Sequence, residues 1–301
     1  MQALVDNVKN TIVGAIRGTG EIANAVSETV SRSLVTALKG TGSVGKALTE
    51  SVADVASGVI QGTAQVGGDL GKASKGAVIG VLKGTKEVGG ETLETVGSTV
   101  QSLVRETADV GGDVGTAARQ AMEGAIEGAT SVGIKSVDAI AATSAGAIAG
   151  IGGVGRAATD TVAKVTHGLI HGASSVGGDL GSAARGAVFG VLRSAKDLSG
   201  QTGEAVAATA GSVVSATAEV GGDIAKTAKA AVEGAIQGAK DIGVDAAEAA
   251  SAAATGALKA AGDVSVSAVE QVQKAATGMI AGVKVVAKAP FSQERTQPRV
   301  S

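Results

Sequence analysis

The sequence predicts an all-α protein built on a helical repeat, and three observations carry that expectation. The string VGGD recurs at Val66, Val110, Val176 and Val220, at spacings of 44, 66 and 44, all multiples of eleven. Eleven residues fill three turns at about 3.67 per turn, close to the α-helical period and far from the strand period of two. Proline, which breaks helices, occurs only at Pro290 and Pro298.

Taken in order along the chain, residues 1–10 read as an N-terminal lead-in. Asp6 stands ahead of a short, interrupted apolar run, without the basic start and continuous apolar stretch of a signal peptide. Residues 11–287 form the repeat region. Stepping by eleven from Thr11 through Ile22, Ser33, Val44, Val55 and Val66 to Val264, Ala275 and Val286 meets only Val, Ala, Ile, Leu, Thr or Ser. Within it, 56–165 and 166–275 form a 110-residue duplication: VGGDLGKASKGAVIGVLKG from Val66 returns as VGGDLGSAARGAVFGVLRS from Val176. Residues 288–301, KAPFSQERTQPRVS, lose the repeat and read as a disordered polar tail.

At about 100° per residue, the first, fifth and eighth positions of a unit, such as Val66, Leu70 and Ala73, share one face, while Lys83, Lys86 and Glu87 fall opposite. Val110, Val176, Leu180 and Val220 occupy equivalent places on the apolar face. A stripe kept at eleven-residue spacing over many units drifts in the sense of a right-handed supercoil. The expected architecture is therefore long amphipathic hendecad helices in a right-handed coiled coil or bundle, or an elongated helical hairpin. Candidate turns rest on glycine pairs such as Gly67 with Gly68 or Gly152 with Gly153.

A second register, of 22 residues, places Gly14, Gly58, Gly80, Gly124, Gly146, Gly168, Gly234 and Gly278 at the head of strings such as GVLKG and GAIEG. Thr36, Ser102 and Ser212 fill the same slot elsewhere, and Gly84, Gly128, Gly150, Gly172 and Gly238 follow four residues after the slot. Each glycine inside a helix costs about 0.5–1 kcal/mol relative to Ala. With 47 of them in 301 residues, such a helix does not hold in isolation. Small residues at four-residue spacing offset the cost by letting another backbone come close. These glycines, with the Val and Leu positions above, are the expected helix-packing seam. The surface they meet is the chain itself, sister chains or lipid.

Composition narrows the function. Two Phe and no Trp or Tyr leave no aromatic payload for an ordinary enzyme core, and no Cys means no disulfide or thiolate chemistry. A net charge of −2 offers nothing to nucleic acid or anionic lipid. The chain is too apolar for a disordered one. The uncharged stretch from Ala139 to Gly155 falls just short of a membrane span.

Three motifs invite chemistry. Gly150, Gly152 and Gly155 fit GxGxxG, and GTGSVGKA from Gly40 fits a phosphate loop apart from Ala47, which lacks the hydroxyl that holds magnesium. Both stand in the glycine register without a strand run beside them. His167 and His171, at i and i+4, could bind zinc given a third ligand, but equivalent places hold Glu123 and Glu127 or Ser57 and Gln61, which marks a solvated face. No catalytic, cofactor-binding or metal residues are assigned, no cofactor is expected, and the protein reads as a non-enzyme.

The elevenfold amphipathic pattern, with strings such as GTKEVGGETLETVGSTV from Gly84 to Val100, resembles synucleins, perilipins and group 3 late embryogenesis abundant proteins over residues 11 to 286. The resemblance implies helices lying on membrane or lipid-droplet surfaces, or a desiccation protectant. The lysine excess of synucleins and the high charge of the late embryogenesis proteins are missing here. That absence favours protein packing over adsorption to lipid. The expected function is a structural protein that self-associates through its Gly/Ala/Val seam into a bundle, stalk or filament. The alternatives are an amphipathic coat on a membrane, lipid droplet or storage granule, and a membrane-inserted hairpin or stress protectant. The expected partner is a second copy, with a lipid or granule surface as the alternative and no nucleic acid. The expected location is cytoplasmic, with possible membrane or granule association.

Overall fold

The computed structural model describes residues 2–19, 21–39, 44–89, 92–151, 159–194 and 200–287. They fold into helices α1 (Gln2–Thr19), α2 (Ile22–Lys39), α3 (Val44–Gln65), α4 (Leu70–Glu87), α5 (Thr92–Asp109), α6 (Val114–Val132) and α7 (Ser136–Gly150). There follow α8 (Thr159–Ser175), α9 (Leu180–Ser194), α10 (Gly200–Glu219), α11 (Ile224–Ile242), α12 (Ala246–Val264) and α13 (Val266–Ala276), then strands β1 (Gly278–Ile280) and β2 (Val283–Val285).

The fold is all-α, but its helices are short, with α4 and α5 18 residues each. The expectation of long continuous helices is corrected at each VGGD. In Val66-Gly67-Gly68-Asp69, Gly67 adopts a left-handed φ of +65°. The Gly68 N–H donates to Thr63 O at 2.9 Å and the Gly67 N–H to Ala64 O at 3.0 Å. This pair of bonds closes a helix C-terminus and satisfies its last carbonyls. The second glycine leaves room for the Thr63 methyl, which a Cβ on Gly68 would meet at 2.9 Å. Asp69 then caps the next helix, accepting from the Lys72 N–H at 3.0 Å. Asp113, Asp179 and Asp223 repeat the cap. Four residues therefore end one helix and start another without proline. The 22-residue period is the sum of one helix and one turn.

The chain doubles back at these turns and builds two layers. From α1 to α10, each helix packs more extensively along the helix two places on than along the one that follows it. Odd-numbered helices form one layer and even-numbered helices the other, the side-by-side stacking of an α-solenoid. The core lies between the layers. The central residue of the GxIxG strings and their equivalents, among them Ile60, Leu82, Ile126, Ile148, Ile170, Leu192 and Ile236, is buried, except for the half-buried Ile16 of α1.

The duplication acquires a structural meaning here. α4 and α9 begin 110 residues apart, as do α6 and α11, and α7 and α12. That displacement is five helices, an odd number, so each copy of a helix lies in the opposite layer from its original. Both layers are thus made from one sequence unit, the single helix with its turn.

Two boundaries differ from expectation. Residues 2–10 belong to α1, where Val8 and Ile12 are buried, and form no separate lead-in. The end of the repeat region is not helical: β1 pairs antiparallel with β2, Gly278 opposite Val285. Ala281 and Gly282, at φ 48° and 79°, make the two-residue turn that favours a hairpin. The proposed tail, 288–301, and the fold-back at Gly152 lie outside the described residues. Among the described residues, no helix is long and apolar enough to cross a membrane. Of the Ala139 to Gly155 stretch, Ala139 to Gly150 belong to the 15-residue α7.

Candidate functional site

The 22-residue glycines lie where a helix crosses its neighbour two places back. A Cβ on Gly80 of α4 would stand 2.5 Å from Ser27 O of α2, and one on Gly124 of α6 would stand 2.6 Å from Lys75 O of α4. Gly58 meets Val5 O at 2.8 Å, Gly150 meets Gln101 O at 2.5 Å and Gly172 meets Arg119 O at 2.5 Å. Gly146 faces Gly97 O, Gly168 faces Gly115 O and Gly234 faces Arg185 O, closer still. Gly84, Gly128 and Gly238, one turn on, face Leu34, Leu82 and Leu192 side chains at 3.2, 2.5 and 2.9 Å. The absence of a Cβ lets these backbones touch, and the contacts join helices of one chain.

Other expected seam residues stand elsewhere. Val66, Val110, Val176 and Val220 sit in the turns, with Val110 and Val176 exposed at 41% and 42%. Each follows the end of its helix and precedes a left-handed glycine; Val66 and Val220 are half-buried there, and Val220 packs on the core. Leu70 and Leu180 are half-buried, and each reaches two helices on to a turn: their Cδ1 atoms would lie 2.6 Å from a Cβ on Gly112 and Gly222. Gly278 lies in β1, at φ +93°, with open space around it. Gly14 stands exposed on α1 with no atom within 4 Å of a Cβ.

Sequence reasoning left out Gly76, Gly190 and Gly256, which press on Ala23 O, Ala145 O and Ala207 O. The last two were within reach, because the 110-residue displacement carries Gly80 onto Gly190 and Gly146 onto Gly256. Where the slot holds Ser102 on α5 or Ser212 on α10, the packing of α5 on α3 and of α10 on α8 is less extensive than in the glycine-bearing pairs. A side chain in the slot keeps the backbones apart.

A cleft of about 840 Å³ runs across α5, α7 and α9. α7 contributes only small residues to its lining, Ala141, Ala142, Ala145, Gly146 and Ala149, and Arg105 of α5 and Arg193 of α9 line it as well. Arg185 also lines it and pairs with Glu233 of α11.

The two histidines meet a carboxylate from another helix. His167 Nδ1 and His171 Nε2, both on α8, lie 3.3 and 3.2 Å from Glu219 Oε2 at the end of α10. Their rings stack with centroids 6.3 Å apart. One ligand atom from each of the three residues falls within 4.8 Å of the other two. The sequence places both imidazoles on one face but cannot show Glu219, 48 residues beyond His171, arriving beside them. Of the nucleotide-like strings, Gly152, Gly155 and residues 40–43 lie outside the described residues.

No protein-family model matches the chain, and no curated protein matches it.

Proposed function

We propose that the protein is a non-enzymatic architectural element, a two-layered helical stack that associates with a second copy through its α1 end. The observation that carries this reading is Gly14. It holds the same slot in the 22-residue register as Gly58 and Gly80, yet nothing among the described residues lies within 4 Å of its Cβ position. The other end is only partly covered, since Val266, Met279 and Val286 stay exposed there. β2 packs on α12, and the Val286 N–H reaches Ser251 Oγ at 3.3 Å. Contact made by the same patch on both copies gives a closed pair and not an open filament.

A lipid coat needs an apolar face free to enter the interface. Here the Val, Ile and Ala faces are occupied between the layers, which supports the architectural reading over the coat. Sedimentation velocity of the purified chain in lipid-free buffer tests the proposal. The expected result is a dimer that becomes monomeric in Gly14→Leu, a change whose Cβ meets no atom within 4 Å among the described residues. A wild-type chain that stays monomeric, or a variant that associates as the wild type does, overturns it.

A further inference from the structure

We propose that His167, His171 and Glu219 bind a zinc ion that clips α8 to α10. Two imidazole nitrogens and a carboxylate oxygen are a zinc donor set, and three protein ligands leave a fourth position for water. With bonds of about 2.0–2.1 Å, tetrahedral zinc sets its ligand atoms about 3.3–3.4 Å apart. The two nitrogen-to-Glu219 distances, 3.3 and 3.2 Å, already have that length. Only the edge between the two nitrogens needs adjustment, and it is no longer than 4.8 Å. All three side chains are accessible enough for an ion to enter, at 34%, 42% and 52% exposure.

Two further features point to a cation. Glu219 is the last residue of α10, where unpaired carbonyls already give a negative end and a further carboxylate is unfavourable without a positive partner. The internal duplication supplies a comparison within the same chain. At the equivalent crossing of α3 and α5, Ser57 and Gln61 replace the histidines. There Gln61 Nε2 donates to Ser57 Oγ at 2.9 Å and Ser57 Oγ donates to Glu106 Oε2 at 3.1 Å. Both crossings carry serine in the glycine slot and pack less extensively. One is bridged by hydrogen bonds, and the other holds the chain's only two histidines, set around a carboxylate.

The test is zinc titration of the full chain, free of any histidine tag, by calorimetry, together with visible absorption after loading cobalt(II). One equivalent of zinc binding at micromolar concentrations or tighter, and the absorption of four-coordinate cobalt, are the expected results. The double variant His167→Ser with His171→Gln copies the pair that α3 already carries, so it keeps the fold while removing both imidazoles. It should lose the site. Glu219→Gln should weaken binding by more than about tenfold, since even an outer partner of a zinc ligand is worth that much. Zinc should also slow amide exchange at the end of α10 in the wild type alone. Absence of binding, equal binding by the double variant, or undiminished binding by Glu219→Gln overturns the proposal.

Discussion

Replacing Gly124 by Ala puts a Cβ 2.6 Å from Lys75 O and 3.1 Å from Lys75 Cα, both backbone atoms of α4 that cannot swing aside. To restore an ordinary contact of 3.4 Å, α6 and α4 must part by about 0.8 Å at that point. A gap of that size forfeits a quarter to a half of the dispersion attraction of the atoms that line it, and overpacking a close contact costs about 1–3 kcal/mol. The same substitution favours an isolated helix by about 0.5–1 kcal/mol, so the net expectation is a loss of about 0.5–2 kcal/mol. Gly203→Ala in α10 meets nothing within 4 Å among the described residues, lies away from the α1 end, and keeps only the favourable part. The two variants should therefore move thermal midpoints, followed by far-ultraviolet circular dichroism at one protein concentration, in opposite directions. At about 2–4 °C per kcal/mol the separation is several degrees. If Gly124→Ala raises the midpoint as Gly203→Ala does, the close backbone contact does not exist and the account of the seam fails.

Two more perturbations probe the turns. A hydrogen bond from the Thr116 hydroxyl, with help from the Thr116 and Gly115 N–H groups, holds Asp113 below the usual carboxylate range. Burial pushes Asp179 upward, but hydrogen bonds from Lys226 and Ser182 outweigh it and leave Asp179 low as well. Because the folded chain then binds fewer protons than the unfolded chain, the stability these caps contribute is present above about pH 4 and is lost as pH falls through their folded values. Denaturant midpoints of Asp113→Asn and Asp179→Asn should be lower than wild type near neutrality and should fall less between about pH 5 and pH 3; parallel curves would contradict the assignment. Gly111→Ala should cost about 1 kcal/mol by urea unfolding, since a side chain at φ +73° is strained even with open space around it, and Gly111→Asn should cost less.

Much of the fold was legible because its signals are local. The period told helix from strand, and the glycine register told where backbones come close, since both follow from residue spacing on a cylinder. The helix breaks were harder to read. Without proline, the Gly67-Gly68 pair stands only as a candidate turn among several glycine pairs, and its hydrogen bonds show one helix closing and another being capped. Val66, Val110, Val176 and Val220 of the elevenfold register precede a turn glycine while Val55 and Val165 are buried inside helices, and uncharged residues in a stripe look the same whether they face a neighbour or end a helix. The C-terminal hairpin escaped for a related reason: Gly278 fits the 22-residue register, and three-residue strands are too short to show a period.

The sequence by itself determined the helical class, the length of the unit, the duplication and most of the places where a backbone needs room for another. Those properties depend on which residue follows which. Only the tertiary structure decided which surface fills that room. An interior glycine slot meets the helix two places back in the same chain, a relation set by turns that send alternate helices to opposite layers. The same side-by-side stacking within one layer brings Glu219 of α10 to His167 and His171 of α8. Residues 48 and 52 positions apart share no local signal, and their meeting follows from how helices stack.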